Sequence, residues 1–265
     1  MKRALLLLLL IACSKKEQPV PAPGSPIEPV PVGKTAAKSD SPLPGSDAHP
    51  VDWSIPPRGV VLWLVGDDAK AEFGGALDAW TNEYLPTAKA TADRPEKQPS
   101  VIPNAINQHS VIRFDGINNV MDTTVDIGPQ RMPDATIFAV FSSRSDSGAG
   151  KIYSDDMRGA GLNQGRYSVF AGGKTSSVFK LQMNTVYVTE EQFTKTDVSA
   201  WANGKQMLDK VAAAYDTETP PKMSIGKAWY GDIAEIIVYS RLLSDLERMQ
   251  IEDYLGKKYG VEMPR

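Results

Sequence analysis

The sequence predicts an all-β fold, an antiparallel sandwich with one short helix packed on it at the C-terminal end. Three observations carry this reading. Short runs rich in β-branched and aromatic residues recur between Val60 and Tyr239, turn-forming residues separate them, and a single helical pattern with both ends marked closes the chain.

Taken in order, the strand candidates are Val60 to Val65 (VVLWLV), Ser110 to Phe114 (SVIRF), Thr136 to Phe141 (TIFAVF), Lys151 to Tyr153, Arg166 to Phe170 (RYSVF), Thr185 to Thr189 (TVYVT) and Ile233 to Tyr239 (IAEIIVY). Trp63, in the middle of an apolar run, is assigned to the core. Val198 to Ala202 runs into Asn203-Gly204, a pair suited to a tight hairpin because both residues tolerate positive φ. Ser142 to Gly150 reads as a loop at a sheet edge. Asp155 to Leu162 (DDMRGAGL) reads as turn, and it lacks the Lys-Ser/Thr ending with which a P-loop reaches phosphate. Asp68 to Tyr84 has some helical spacing in Phe73, Leu77 and Trp80, but Gly74-Gly75 weakens it, and a loop is the alternative.

The closing helix is better defined. Ser244 is its N-cap, Glu247 the capping-box partner three residues on, and Asp245 adds negative charge at the amino end. Ile251, Tyr254, Leu255 and Tyr259 form an apolar face, Lys257 and Lys258 occupy the last turn, and Gly260 supplies the stop.

Ahead of the folded part, residues 1–12 have a basic start in Lys2 and Arg3 and an unbroken apolar run from Ala4 to Ala12, the organisation of a secretory signal. As a helix that run covers about 14 Å, well short of a hydrocarbon layer of about 30 Å, so it targets the chain and does not span a membrane. Leu10-Ile11-Ala12-Cys13 resembles the lipobox of bacterial lipoproteins. The resemblance implies cleavage before Cys13, a diacylglycerol on its thiol and acylation of the new amino terminus. These chains anchor the protein to membrane lipid, each adding about 0.8 kcal/mol per buried CH2. Ser14, where Asp would direct otherwise, implies the outer membrane. A soluble secreted protein with an accidental cysteine is the alternative.

Residues 13–57 then read as the lipidated start of a disordered tether. Pro19, Pro21, Pro23, Pro26, Pro29 and Pro31 favour extended polyproline II, and the stretch has too little apolar surface to offset ordering of its backbone. A Pro-rich ligand for a partner module is the competing reading. Residues 58–265 are long enough for one domain with a sizeable core.

Cys13 is the only cysteine, so no intrachain disulfide staples that domain. Loss of Lys2 and Arg3 with the signal takes the 29 basic residues to 27 against 32 acidic ones, a net charge of about −5. Such a balance gives no general reason to bind nucleic acid.

The domain resembles the concanavalin A-like lectin/glucanase superfamily, specifically its LamG-like jelly rolls. The stretches that carry the resemblance are Val61 to Leu64, Asn104 to Asn107 leading into Val111 to Gly116, Phe138 to Phe141, the Trp201-Ala202-Asn203-Gly204 hairpin, and Gly231 to Tyr239 with the helix ending Tyr254 to Gly260. It implies a concanavalin A-like β-sandwich, and it is weak for activity. Where relatives often read Asp after the first strand's Trp-Leu, this chain has Val65-Gly66-Asp67.

β-Glucan-cleaving enzymes of this fold resemble one another in a Glu-x-Asp-x-x-Glu strand, whose alternate carboxylates share a face about 5 Å apart. That spacing does not occur here. Asp232 and Glu235, offset by three, are expected on opposite faces of a regular strand. The two histidines, His49 in the tether and His109 at a solvent-facing strand start, accompany no free cysteine and no Gly-x-Ser-x-Gly elbow. The chain is therefore expected not to be an enzyme.

Asp115-Gly116-Ile117-Asn118-Asn119, followed by Asp122, gathers oxygen ligands of the kind that hold Ca2+ or sugar hydroxyls. Asp115, Asn119 and Asp122 are the candidate metal ligands, with turn-shaping hydrogen bonds as the competing role. Trp80, Trp201, Trp229 and Tyr230, next to loop residues, are candidate stacking platforms for sugar rings, with Asp115 and Asn118 as polar partners and core packing as the competing role. Arg113 and Arg131 are further charged contacts. The leading expectation is a membrane-anchored, non-catalytic module that recognises a carbohydrate or cell-envelope polysaccharide. A structural or protein-binding module of an envelope complex follows, and a glycoside hydrolase comes last.

Overall fold

The computed structural model describes residues 58–264, apart from 72–74, 83–84 and 217–219. The leader, Cys13 and the tether lie outside the described residues. In chain order the strands begin with β1 (Val60–Val65), β2 (Ala79–Trp80), β3 (Ala90–Thr91), β4 (Ser100–Ile106), β5 (His109–Asp115) and β6 (Met121–Thr123). They continue with β7 (Ala135–Ser143), β8 (Ala149–Ser154), β9 (Arg158–Asn163), β10 (Arg166–Ala171) and β11 (Lys174–Lys180). The last are β12 (Val186–Phe193), β13 (Asp197–Ala202), β14 (Lys205–Ala212), β15 (Ser224–Ile225) and β16 (Tyr230–Tyr239), followed by helix α1 (Asp245–Tyr259).

Two eight-stranded antiparallel sheets result. The first runs β14-β13-β12-β7-β16-β5-β4, with β1 also paired to β16, and the second runs β11-β10-β9-β8-β15-β6-β3-β2. The predicted sandwich is the fold observed. β13 and β14 meet at the predicted hairpin, where Asn203 and Gly204 have φ of 47° and 76°.

Alternation along the strands sorts the core. Leu62, Leu64, Ile112, Phe114, Ile137, Ala139 and Phe141 of the first sheet face Tyr153, Ala160, Leu162, Tyr167 and Val169 of the second. Their other neighbours, Trp63, Val65, Val111, Phe138 and Val140, point away and pack under Ile251, Leu255 and Tyr259 of α1. One face of the first sheet is thus covered by the helix. Leu77 and Trp80, which suggested a helix, enter the inter-sheet core from a loop and from β2 instead. A 3-10 turn at Gly66–Asp68 is the helical structure described in that region. The glycine-rich stretch read as turn contains β9, because Gly159 and Gly161 let the chain approach β8. A Cβ on Gly159 would lie 2.6 Å from the Tyr153 carbonyl oxygen.

The ends of α1 follow the predicted pattern. The Ser244 side chain accepts from the Glu247 N–H, Glu247 reaches back to the Ser244 N–H, and Gly260 adopts the left-handed conformation with φ 69°. Arg241 lies 2.6 Å from Glu247 and its hydrogen bonds hold that carboxylate down to about 2. Ser244→Ala is expected to cost about 1 kcal/mol, read as a lowered urea midpoint at unchanged slope.

Candidate functional site

Two outer faces are available for function, and their charges are arranged differently. On the first sheet, the face under α1 carries charged side chains that are paired. Arg248 donates to Glu190 at 2.8 Å and lies over the Trp201 ring, 3.9 Å from its centroid. Glu235 accepts from Trp63 Nε1, Lys258 Nζ and the Tyr259 hydroxyl at 2.7 to 2.8 Å. Arg113 binds Asp232 through two hydrogen bonds of 2.7 and 2.8 Å.

Asp232 and Glu235 do share this face, contrary to the expectation for a regular strand. The β16–β7 register shifts between Ile233 and Glu235, a bulge that turns Ala234 and Glu235 together toward the helix. Each carboxylate is nevertheless held by its own cation, as structural ion pairs are.

His109, read as solvent-facing, is half-buried. Its Nδ1 lies 2.6 Å from Asp67 Oδ2 and its ring meets Tyr259 edge-on. Asp67, the displaced acid after β1, also accepts from the Ser110 N–H. Burial opposes its charge, but the Ser110 and His109 hydrogen bonds hold its pKa below the usual carboxylate value. No hydroxyl or thiol is hydrogen-bonded to His109 among the described residues.

The predicted aromatic platforms separate. Trp80 and Trp229 are fully buried; Trp80 Nε1 donates to the Val65 carbonyl, and Trp229 meets Phe141 edge-on. Trp201 is covered by Arg248. Trp80 and Trp229 fill the space between the sheets and Trp201 lies beneath the helix, so none of the three offers a face for stacking. Tyr230 is 40% exposed, with the Arg144 guanidinium 4.6 Å from its ring centroid. It sits opposite Asp115 in the β16–β5 ladder, so Tyr230, Asp115 and Asn118 do come together at one end of the first sheet.

The predicted metal ligands do not assemble. Asp115 Oδ1 accepts from the backbone N–H groups of Ile117, Asn118 and Asn119, and Asn119 Oδ1 accepts from the Asp115 N–H. Burial works against the Asp115 charge, yet those three donors leave its pKa lowered. Asp122 belongs to β6 in the second sheet. Among the described residues no group of three or more His, Cys, Asp or Glu could hold a metal ion. Arg131 is an exposed partner of Asp126 at 3.8 Å.

The outer face of the second sheet is different. No helix covers it among the described residues. Successive ladder partners set one row of outward residues across all eight strands: Thr175, Phe170, Gly159, Ser154, Ser224, Asp122, Thr91 and Ala79. Two shorter rows run beside it, Ser177-Ser168-Gly161-Lys151 and Lys180-Arg166-Asn163-Ala149. Glycines and small side chains line the middle of this face, where Gly159, Gly161, Ser154 and Ser168 are buried and Lys151 reaches over the Phe170 ring at one end. At about 4.8 Å per strand, Phe170 and Asp122 are about 19 Å apart along the row.

Near the Asp122 end is a pocket of about 250 Å³ whose lining includes Asp122, Ser154, Asp156, Lys222, Ser224 and Lys227. The side chains of Asp122, Asp156, Lys222 and Lys227 make no hydrogen bond or ion pair among the described residues. Two carboxylates and two ammonium groups thus lie beside the hydroxyls of Ser154 and Ser224 without a partner among the described residues. Lys151 lies over the Phe170 ring, and burial pushes its amine down to about 7, with Asp156 opposing and Lys227 reinforcing the shift.

Sequence reasoning missed Phe170 as a site residue. Its signal was phase: in Arg166 to Phe170, Tyr167 and Val169 turn inward, leaving Phe170 as an aromatic at an outward position.

This arrangement defines a two-sheet β-sandwich of jelly-roll type with one closed and one open sheet face. Solved structures share the architecture. The sandwich is similar to Trypanosoma rangeli sialidase bound to the inhibitor DANA (TM-score 0.55, 11% identity, covering 75% of this chain and 33% of that one). It is similar to the same sialidase with sialic acid (TM-score 0.54, 14% identity, 77% and 34%). The receptor binding domain of botulinum neurotoxin mosaic serotype C/D, crystallised with tetraethylene glycol and sulfate, matches at TM-score 0.53 and 8% identity, covering 74% and 51%. The chain therefore spans a third of the sialidase and half of the toxin domain, and the likeness is one of fold. No family model and no curated protein matches the chain.

Proposed function

We propose that the protein is a lipid-anchored, non-catalytic LamG-like module that binds a carbohydrate across the strands of its open sheet. The observation that carries the reading is the contrast between the two outer faces. Charges under the helix are paired, whereas the pocket on the open face holds charged side chains with no hydrogen bond or ion pair among the described residues. Alternating hydroxyls on a sugar need such mixed donors and acceptors, and the weakly positive C–H face of a pyranose suits the negative face of an aromatic ring.

In this reading Phe170 stacks one sugar once Lys151 moves aside, the glycines leave room for the chain, and the pocket grips a sugar farther along. The signal and lipobox pattern support an anchor at Cys13, with the Pro-rich segment as a spacer to the outer membrane. The shared fold with sialidase and toxin binding domains supports glycan binding, and the cation-held Asp232 and Glu235 speak against a hydrolase on the other face.

The test is binding of the purified full chain to a glycan array, followed by titration of the best hit. Phe170→Ala is expected to weaken that hit roughly five- to tenfold, with an unchanged circular dichroism spectrum. Equal affinity of wild type and variant would remove Phe170 from the site. A second reading, a protein-binding module, has one observation in its favour: Ile117, 84% exposed, stands near Tyr230. Silence on the array together with sensitivity of a captured envelope partner to Ile117→Ser would favour it.

A further inference from the structure

We infer that the carbohydrate is acidic, a polysaccharide bearing carboxylates along its chain. This rests on the glycan reading of the open face and narrows it.

The argument is one of charge placement. The outward charged residues of the three rows and the pocket are Lys151, Arg166, Lys180, Lys222 and Lys227 against Asp122 and Asp156. The chain as a whole carries a net charge of −3, so this face runs against the balance of the sequence. Arg166 and Lys180 are direct partners across the β10–β11 ladder. Like charges opposite each other on one face destabilise a sheet, and neither has a carboxylate within ion-pair distance among the described residues.

Lys151 lies one step along β9 and β8 with Asp156 and Lys227 as charged neighbours, and an anion beside it would favour its charged form. The cations therefore extend from the β11 edge to the pocket, beside the row that holds Phe170 and Gly159. An anion repeated along a polymer would meet them in succession. A neutral polysaccharide would leave the Arg166–Lys180 repulsion in place.

Charge complementarity of this kind makes binding salt-dependent and strengthens it toward the charged form of the ligand. The experiment titrates the full chain with polygalacturonate, alginate and hyaluronan, and with the methyl-esterified form of each, which keeps the backbone and removes the charge. Polyglutamate supplies negative charge without sugar. At least one acidic polysaccharide is expected to bind about tenfold or more tightly than its ester in low salt, with the difference shrinking as salt rises. Arg166→Gln with Lys180→Gln should remove most of that difference by weakening the acid far more than the ester.

Equal, salt-insensitive binding of an acid and its ester overturns the acidic-ligand inference and leaves the glycan reading standing. Polyglutamate binding as tightly as the best polysaccharide overturns the glycan reading and leaves only a polyanion surface. Failure of every acidic polysaccharide while a neutral array glycan binds overturns the inference alone.

Discussion

Replacing Arg158 by Met is expected to cost about 4 kcal/mol or more of folding stability, among the largest effects of a single substitution in this chain. Arg158 is fully buried at the start of β9. Its Nη1 donates to the carbonyls of Ile127 and Met132 at 3.0 and 2.6 Å, and its Nη2 to those of Pro133 and Thr194 at 2.8 and 2.9 Å. The guanidinium thereby ties the segment between β6 and β7, and the end of β12, to the second sheet. The rings of Phe193 and Tyr215 lie 5.5 and 5.0 Å from it.

Met fills much of the same volume but donates nothing, so four carbonyls lose their partner at once, each at roughly 1–3 kcal/mol where water cannot replace it. Asp155 adds to the effect. Burial raises its pKa to about 6 although its Oδ1 accepts from the N–H groups of Met157 and Arg158, and removing the nearby cation makes its charged form costlier still. Urea unfolding at pH 7 measures the loss. Arg158→Lys should recover only part of it, because one ammonium cannot reach four divergent carbonyls. A Met variant within about 1 kcal/mol of wild type would mean that the segment between β6 and β7 relaxes to satisfy itself.

The strands that the sequence made most legible are those with apolar residues on both faces. β1, β7 and β16 lie between the inter-sheet core and the helix, so nearly every position is buried and the runs read as VVLWLV, ATIFAVFSS and YGDIAEIIVY. Of the missed strands, β3, β6 and β15 are only two or three residues long, too short to show a pattern, and others are at margins. β11 (KTSSVFK), β14 (KQMLDKVA) and β4 (SVIPNAI) are edge strands with exposed Lys, Ser and Asn, which lack the apolar alternation that marks a half-buried strand. β9 hid behind its glycines, which serve close strand approach and not a turn.

The helix was legible because its caps are local in sequence. Its buried face was legible only in part, since Arg248 and Glu252 are buried beside Leu255. Nothing local indicates that Glu190 waits beneath them. The site was the least legible element. Phe170, Gly159, Ser154, Ser224 and Asp122 come from five strands in an order unlike that of the chain, and only ladder register brings them into one row. Proximity to loops suggested Trp80, Trp201 and Trp229, but a sandwich of this size needs large rings to fill the space between and beneath its sheets.

Glu191→Gln is expected to change how stability depends on pH, through a carboxyl enclosed between the sheets. Glu191 is fully buried; its Oε2 accepts from the Tyr153 hydroxyl and its Oε1 from the Tyr167 hydroxyl, each at 2.6 Å. Burial pushes its pKa up to about 7, and the two phenols hold it from rising further. Both phenols are themselves raised well above their ordinary range by burial and by this neighbour, so they remain donors.

In the unfolded chain the carboxyl titrates near its ordinary value of about 4.3. Between that value and about 7 the folded protein keeps a proton that the unfolded chain has released. The stabilisation is complete below the unfolded value and is lost as pH rises through the folded one, by roughly 4 kcal/mol in all. Glu247, held at about 2, acts in the opposite sense, but only as pH falls below its ordinary range.

Subtracting the unfolding free energy of Glu191→Gln from that of wild type at each pH cancels Glu247 and every other shared group. The difference should fall by about 3 kcal/mol from pH 4.5 to pH 8 and then level off. Tyr153→Phe, which removes one donor to the carboxylate, should move the fall to higher pH. A flat difference across that range would mean that water reaches Glu191 and that the carboxyl titrates as it does in the unfolded chain.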